Sequence, residues 1–140
     1  MSFIQENNSR QERMGRWEVW SRNECNQIQR AVFDVYRQMG CGLMEAVYQE
    51  CLEKELLKRG IPFVARQEFK LFYKNEALLQ TYVADFICYE SIVVEIKALS
   101  TTTGAHKTQV LNYLEITGMR VGLLINFGSC PKATIERIVL

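Results

Sequence analysis

The stretch VADFICYESIVVEIKAL, residues 83–99, places Asp85 in one apolar run and Glu95 with Lys97 in the next. Two acids and an amine inside segments that otherwise read as buried strands need a chemical reason. Side chains alternate across a strand, so Glu95 and Lys97 share a face with Val93, while Val94 and Ile96 line a wholly apolar one. A hairpin centred on Glu90 sets Asp85 opposite Glu95, with Cβ atoms about 4.5–5.5 Å apart. Carboxylates that close repel unless a proton, a cation or nearby positive charge compensates. Lys97 supplies one charge, and a divalent cation between the acids would supply the rest. An oxygen-only, water-accessible donor set suits magnesium or manganese, which make a bound water more acidic and stabilise charge growing at phosphorus. The chemistry expected is phosphodiester hydrolysis, with the Lys97 ammonium orienting the nucleophile. On spacing alone, the same residues fit a solvated sheet face with a weak surface ion pair equally well. A turn centred half a residue away would put the two acids on opposite faces.

The elements around this pair follow from periodicity. Ile28, Val32, Val35, Tyr36 and Met39 recur at helical spacing and predict a helix over 23–39, stopped at Gly40. Met44, Val47, Tyr48, Cys51, Leu52 and Leu56 predict a second, ended by Gly60 and Pro62. FVARQEFKLFY, ALLQTYVADFICY and SIVVEIKAL are aromatic and β-branched, with polar breaks at KNE and near Glu90, and predict a three-stranded antiparallel meander. HKTQVLNYLEITG predicts a third helix stopped by Gly118, RVGLLINF a buried strand and ATIERIVL a final one. The fold class expected is α/β, a mixed sheet with helices packed on it.

With 140 residues, 48% of them hydrophobic, the chain suits one domain. Residues 23–140 are assigned to it, and residues 1–22 are read as a polar arm carrying Arg10, Arg13 and Arg16 ahead of Trp17 and Trp20. The 17 basic and 16 acidic residues give a formal charge of +1, so a polyanion would have to be held by a local basic patch. Arg30, Arg37, Lys54, Lys58, Arg59 and Lys107 are candidates for that patch. The five cysteines show no Cys-x-x-Cys spacing and are read as reduced thiols. No apolar stretch reaches the roughly 18 residues of a membrane span, so a cytoplasmic protein with no membrane partner is expected.

Asp85 followed by Glu-Ile-Lys at 95–97, after a helix and within a meander, resembles the PD-(D/E)XK nuclease superfamily. GLMEAVY at 42–48 is similar to the Gly-x-x-Glu-x-x-Tyr signature of its GxxExxY family. RQEFKLFYKN, YVADF, VVEIKAL, HKTQVLNYL and GLLINFG also resemble successive blocks of that family, in order, from about residue 23 onward. The resemblance implies a restriction-endonuclease-like αβββαβ core and a magnesium- or manganese-dependent nuclease, with DNA favoured over RNA. It implies that Asp85 and Glu95 bind the metal, that the backbone carbonyl of Ile96 completes its shell and that Lys97 is the catalytic lysine. Glu45 then matches the acid carried on the first core helix, Tyr48 completes the signature, and Gln109 with Tyr113 matches a Gln-x-x-x-Tyr element that supports the site. His106 falls in a matching block, although a lone histidine at a helix start more commonly solvates the terminus. Glu45 and Tyr48 share a helical face, as do Gln109 and Tyr113. Cys41 stands where proline is usual, which implies a less rigid loop into the second helix. A nucleic-acid-binding or protein-interaction module without turnover is the alternative from another class, and a hydrolase of small phosphorylated molecules is a third. Cutting both strands of a duplex is easier with two sites, so a homodimer is expected.

Overall fold

The structure is a computed structural model that describes residues 21–140 with their side chains; of the arm expected over residues 1–22, the side chains other than those of Ser21 and Arg22 lie outside the described residues. The elements run α1 (Ser2–Met39), α2 (Glu45–Lys58), β1 (Phe63–Tyr73), β2 (Glu76–Cys88), β3 (Ile92–Lys97), α3 (Gly104–Thr117), β4 (Val121–Asn126) and β5 (Thr134–Val139). Gly40, Gly60 and Gly118 follow the three helices with φ of 71°, 68° and 72°, a conformation glycine adopts without the Cβ penalty. Among the described residues no helix is long and apolar enough to cross a membrane.

The five strands lie in the order β1-β2-β3-β4-β5, with the meander antiparallel, β3 and β4 parallel, and β4 and β5 antiparallel. The parallel pair needs a crossover, and α3 supplies it. Ile28, Val32 and Val35 of α1 and Tyr48, Leu52 and Leu56 of α2 pack with Phe86, Val94, Ile96, Leu123 and Ile125 on one face of the sheet. Val110 and Leu114 of α3 pack with Ile87, Val93 and Leu124 on the other. Each such fully buried aliphatic or aromatic side chain contributes about 1.5–3 kcal/mol, so the sheet is held from both faces. β4 is buried along its whole length, as expected of a strand covered on both sides.

The β1–β2 hairpin contains a pleat reversal. Phe63 and Ala65 on β1, and Phe86 and Cys88 on β2, face α1 and α2, whereas Phe69 and Leu71, and Tyr82 and Ala84, face α3. Ala84 and Phe86 are two apart and would share a face in a regular strand. The alternation therefore slips at Asp85 and at Arg66, which lies between the pairs Ala65↔Phe86 and Gln67↔Ala84. Arg66 has φ 54°.

The reading of all five cysteines as reduced thiols does not hold: Cys41 and Cys130 form a disulfide, leaving Cys25, Cys51 and Cys88 free. Their loops meet because Tyr48 stacks on Phe127 at 4.5 Å between ring centroids, bringing the entry to α2 against the exit from β4. The Tyr48 hydroxyl donates to Gly40 O (2.6 Å) and accepts from Leu43 N–H (3.2 Å). The loop before α2 is thus tied down without a proline.

The exit from β4 is equally constrained. Buried Asn126 accepts from Leu99 N–H (2.9 Å) and Gly128 N–H (3.0 Å) through Oδ1 and donates to Leu99 O (2.8 Å). A Cβ on Gly128 would stand 2.3 Å from Leu99 O. Gly128→Ala is expected to cost about 1–3 kcal/mol, the usual range for overpacking, read as a lower urea midpoint with an unchanged m-value.

Candidate active site

The β2–β3 ladder pairs Cys88↔Ile92, Ile87↔Val93 and Phe86↔Val94, symmetric about Glu90, and its continuation sets Asp85 opposite Glu95. Backbone pairing stops there because β2 slips at Asp85. The Ile96 N–H, deprived of a ladder carbonyl, donates instead to Asp85 Oδ2 at 2.9 Å. On the other side of β3, Lys97 O accepts from Phe127 N–H at 2.8 Å. Successive residues of a strand turn their polar groups to opposite sides, so the Ile96 carbonyl faces the Asp85 side with its N–H. Glu95 lies within this gap and is only 5% exposed. Its Oε1 accepts from the Tyr82 hydroxyl.

Burial, and then the Asp85 charge, push the Glu95 carboxyl up to about 8; the Tyr82 hydrogen bond and Lys97 oppose them only in part. The Tyr82 hydroxyl is raised in turn, first by burial and then by Glu95. Half-buried Lys97 makes no ion pair among the described residues, since neither acid comes within 4.0 Å of its nitrogen. The gap therefore holds two acids whose mutual repulsion Lys97 offsets only in part.

α2 approaches the gap from the opposite face. Glu45, its first residue, is raised by burial and next by the charge of Asp85, while Lys97 and Arg66 pull it down. Its charge thus belongs to the same cluster. Gln49, one turn on and buried, donates to Asp85 O at 3.2 Å and holds the slipped backbone. Fully buried Tyr48 braces the loop before α2 and has no surface to offer a substrate.

α3 closes the other side. Tyr113 stacks on Tyr82 with ring centroids 3.8 Å apart and planes at 14°, and the Gln109 side chain, one turn before it on α3, favours the ionised form of the Tyr113 hydroxyl. Burial, then Glu95 and Asp85, raise the Tyr113 hydroxyl. Tyr113, Tyr82 and Glu95 form a continuous support from helix to acid. His106 Nδ1 accepts from Thr103 N–H at 2.9 Å, which closes the first turn of α3. The basic candidates do not form one patch: Arg59 and Arg37 pair with Asp34, near which Lys54 and Lys58 also lie, whereas Lys107 pairs with Glu136 on the α3 side of the sheet.

Two supporting residues escaped the sequence reading. Gln49 lies four after Glu45 and so shares its helical face, a usable signal. Tyr82 lies three before Asp85, and regular alternation puts it on the wrong face; only the slip brings it to Glu95.

Among the described residues no group of three or more His, Cys, Asp or Glu side chains is close enough to enclose a metal ion. Magnesium does not require one, because it binds through one or two carboxylates and keeps several waters. Asp85, Glu95 and the Ile96 carbonyl form an all-oxygen set of that kind, so the residues fit the ion.

A mixed five-stranded sheet with helices on both faces, and paired acids beside a lysine where two strands part, defines a restriction-endonuclease-like protein. The sequence profile of the PD-(D/E)XK nuclease superfamily matches residues 22–138, and the chain belongs to that superfamily. The solved structure of SSO0001 is similar in fold, with a TM-score of 0.55 and 22% identity over 67% of this chain and 48% of that one. This chain thus spans about half the length of that protein. The comparison with curated proteins gives no match.

Proposed function

We propose that this chain is a divalent-metal-dependent nuclease that hydrolyses phosphodiester bonds in DNA, with the GxxExxY signature at 42–48 marking its family. The observation that carries the reading is the buried Glu95, set against Asp85 with neither acid in an ion pair among the described residues and with the Lys97 charge offsetting them only in part. Asp85, Glu95 and the Ile96 carbonyl would hold magnesium or manganese. When bound, the ion supplies positive charge that polarises the phosphodiester and makes a nearby water more acidic. Lys97 orients that water and offsets negative charge on the phosphate as the bond breaks. Tyr82 fixes the Glu95 carboxylate, Gln49 fixes the Asp85 backbone, and Glu45 adds a third acid at the rim.

The test is incubation of the purified protein with single-stranded, duplex and branched DNA and with RNA, with magnesium, with manganese and with EDTA. Metal-dependent cleavage of DNA is the expected result, and the same samples show by sedimentation whether the chain is a dimer. Metal binding without cleavage of any substrate replaces this reading with a binding module that keeps the fold.

Tyr82→Phe preserves the ring stack and removes only the hydroxyl that holds Glu95. A lost partner of a metal ligand costs about 10–100-fold in metal affinity. Manganese titration of the variant is expected to show a loss in that range with an unchanged circular dichroism spectrum. Equal affinity in the two proteins would make Tyr82 a packing residue only.

A further inference from the structure

We propose that Arg66 binds a phosphate of the substrate strand beside the Asp85–Glu95 pair, a role that rests on the nuclease reading above. Among the described residues, five non-glycine residues have positive φ. Lys74 and Asn75 form the β1–β2 turn, and Tyr89 and Glu90 the β2–β3 turn, where that conformation is required by tight hairpin geometry. Arg66 is the one within a strand. Left-handed backbone is costly for a residue with a Cβ, and such residues cluster where a site needs them. Here it reverses the pleat of β1 at the position opposite Asp85, the point where β2 slips to free that acid. One local distortion therefore positions both side chains.

The Arg66 side chain is exposed and makes no ion pair or hydrogen bond among the described residues, in contrast to Arg37, Arg59 and Lys107. It is nonetheless close to the centre, since its charge and that of Lys97 are the two positive influences on Glu45. A polyanion approaching Asp85, Glu95 and Glu45 meets repulsion, and the net charge of +1 gives no general compensation. A guanidinium with its donors free matches a phosphate in bidentate geometry. Its position assigns it the strand being cut.

Backbone and side chain make separable contributions at this position, and one substitution tests both. In a Lys97→Ala background, which stops cleavage, Arg66→Gly relieves the left-handed conformation while removing the guanidinium. Fluorescein-labelled single-stranded and duplex DNA are titrated with magnesium present, by anisotropy, across a salt series. Arg66→Gly is expected to raise the melting temperature yet weaken DNA binding by about tenfold or more. The slope of log affinity against log salt should fall by about one, as it does when one phosphate is no longer neutralised. Arg66→Lys should recover part of the affinity, and Arg66→Asn, which tolerates positive φ, gives the same comparison if the glycine variant does not fold. Parent-like affinity and slope in the glycine or asparagine variant would leave Arg66 a structural residue and overturn the proposal. Absence of DNA binding by the Lys97→Ala parent would instead remove the nuclease reading itself, and this role with it.

Discussion

Lys97→Ala is expected to lower metal-dependent cleavage by about 10²–10⁴-fold, the range that a positioned proton-transfer group contributes. Metal binding should survive. The amine is not one of the oxygen donors, and deleting it removes a positive charge that competes with a cation for Asp85 and Glu95. The fold should survive as well, because what Lys97 gives the sheet is its place in the β3–β4 register and a carbonyl bonded to Phe127 N–H, both backbone features. Single-turnover cleavage at saturating manganese, paired with calorimetric titration of the same ion, separates the outcomes. A large fall in rate with retained heat supports the assignment. Wild-type cleavage by the variant overturns it, and loss of both signals would place Lys97 among the groups that organise the metal site.

The central pair was legible because its geometry depends on counting. A hairpin symmetric about Glu90 sets Asp85 opposite Glu95, and the ladder has that register. Helix ends were legible for a similar reason, since Gly40, Gly60 and Gly118 mark positions where the backbone turns left-handed. What stayed hidden depends on departures from regularity or on distance along the chain. Positive φ at an arginine has no compositional signature, so the slip at Arg66 and Asp85 was invisible, and with it the arrival of Tyr82 at Glu95. The Cys41–Cys130 bond closes a separation of 89 residues that only the packing of Tyr48 on Phe127 makes short. Asn126 reads as an ordinary polar residue ending a strand, and its clamp on Leu99 follows from burial that sequence does not record. Charge placement followed the same pattern: of the basic candidates chosen by type on the helices, Arg37 and Arg59 pair with Asp34 and Lys107 with Glu136, while Arg66 on β1, which the sequence did not single out, makes no ion pair among the described residues.

Glu95→Gln is expected to make the metal-free protein more stable and to remove a pH dependence that the wild type shows. In the folded metal-free chain the Glu95 carboxyl titrates at about 8, against roughly 4.3 for an unhindered glutamate in the unfolded chain. The folded state therefore holds a proton that the unfolded state has released between those values. The stabilisation is complete below the unfolded pKa, declines as pH rises through the window and is gone above about 8. At about 1.4 kcal/mol per pH unit for a full proton difference, the decline across the window amounts to at most about 5 kcal/mol. Glu45, raised in the same direction, adds to it. The buried thiols of Cys25 and Cys88 are also pushed up, but they begin to subtract stability only above the ordinary thiol range, so measurements between pH 5 and 8 isolate the carboxylates. Urea unfolding in EDTA should show wild-type stability falling across that interval, with the Glu95→Gln variant much flatter and more stable at pH 8. Saturating magnesium should reverse the wild-type trend, because the ion binds the deprotonated acids of the folded state and its contribution grows with pH. Magnesium should leave the variant nearly unmoved. A wild-type curve in EDTA that parallels the variant from pH 5 to 8 would mean that Glu95 carries no buried charge burden, and the case for a cation held between the two acids would lose its physical basis.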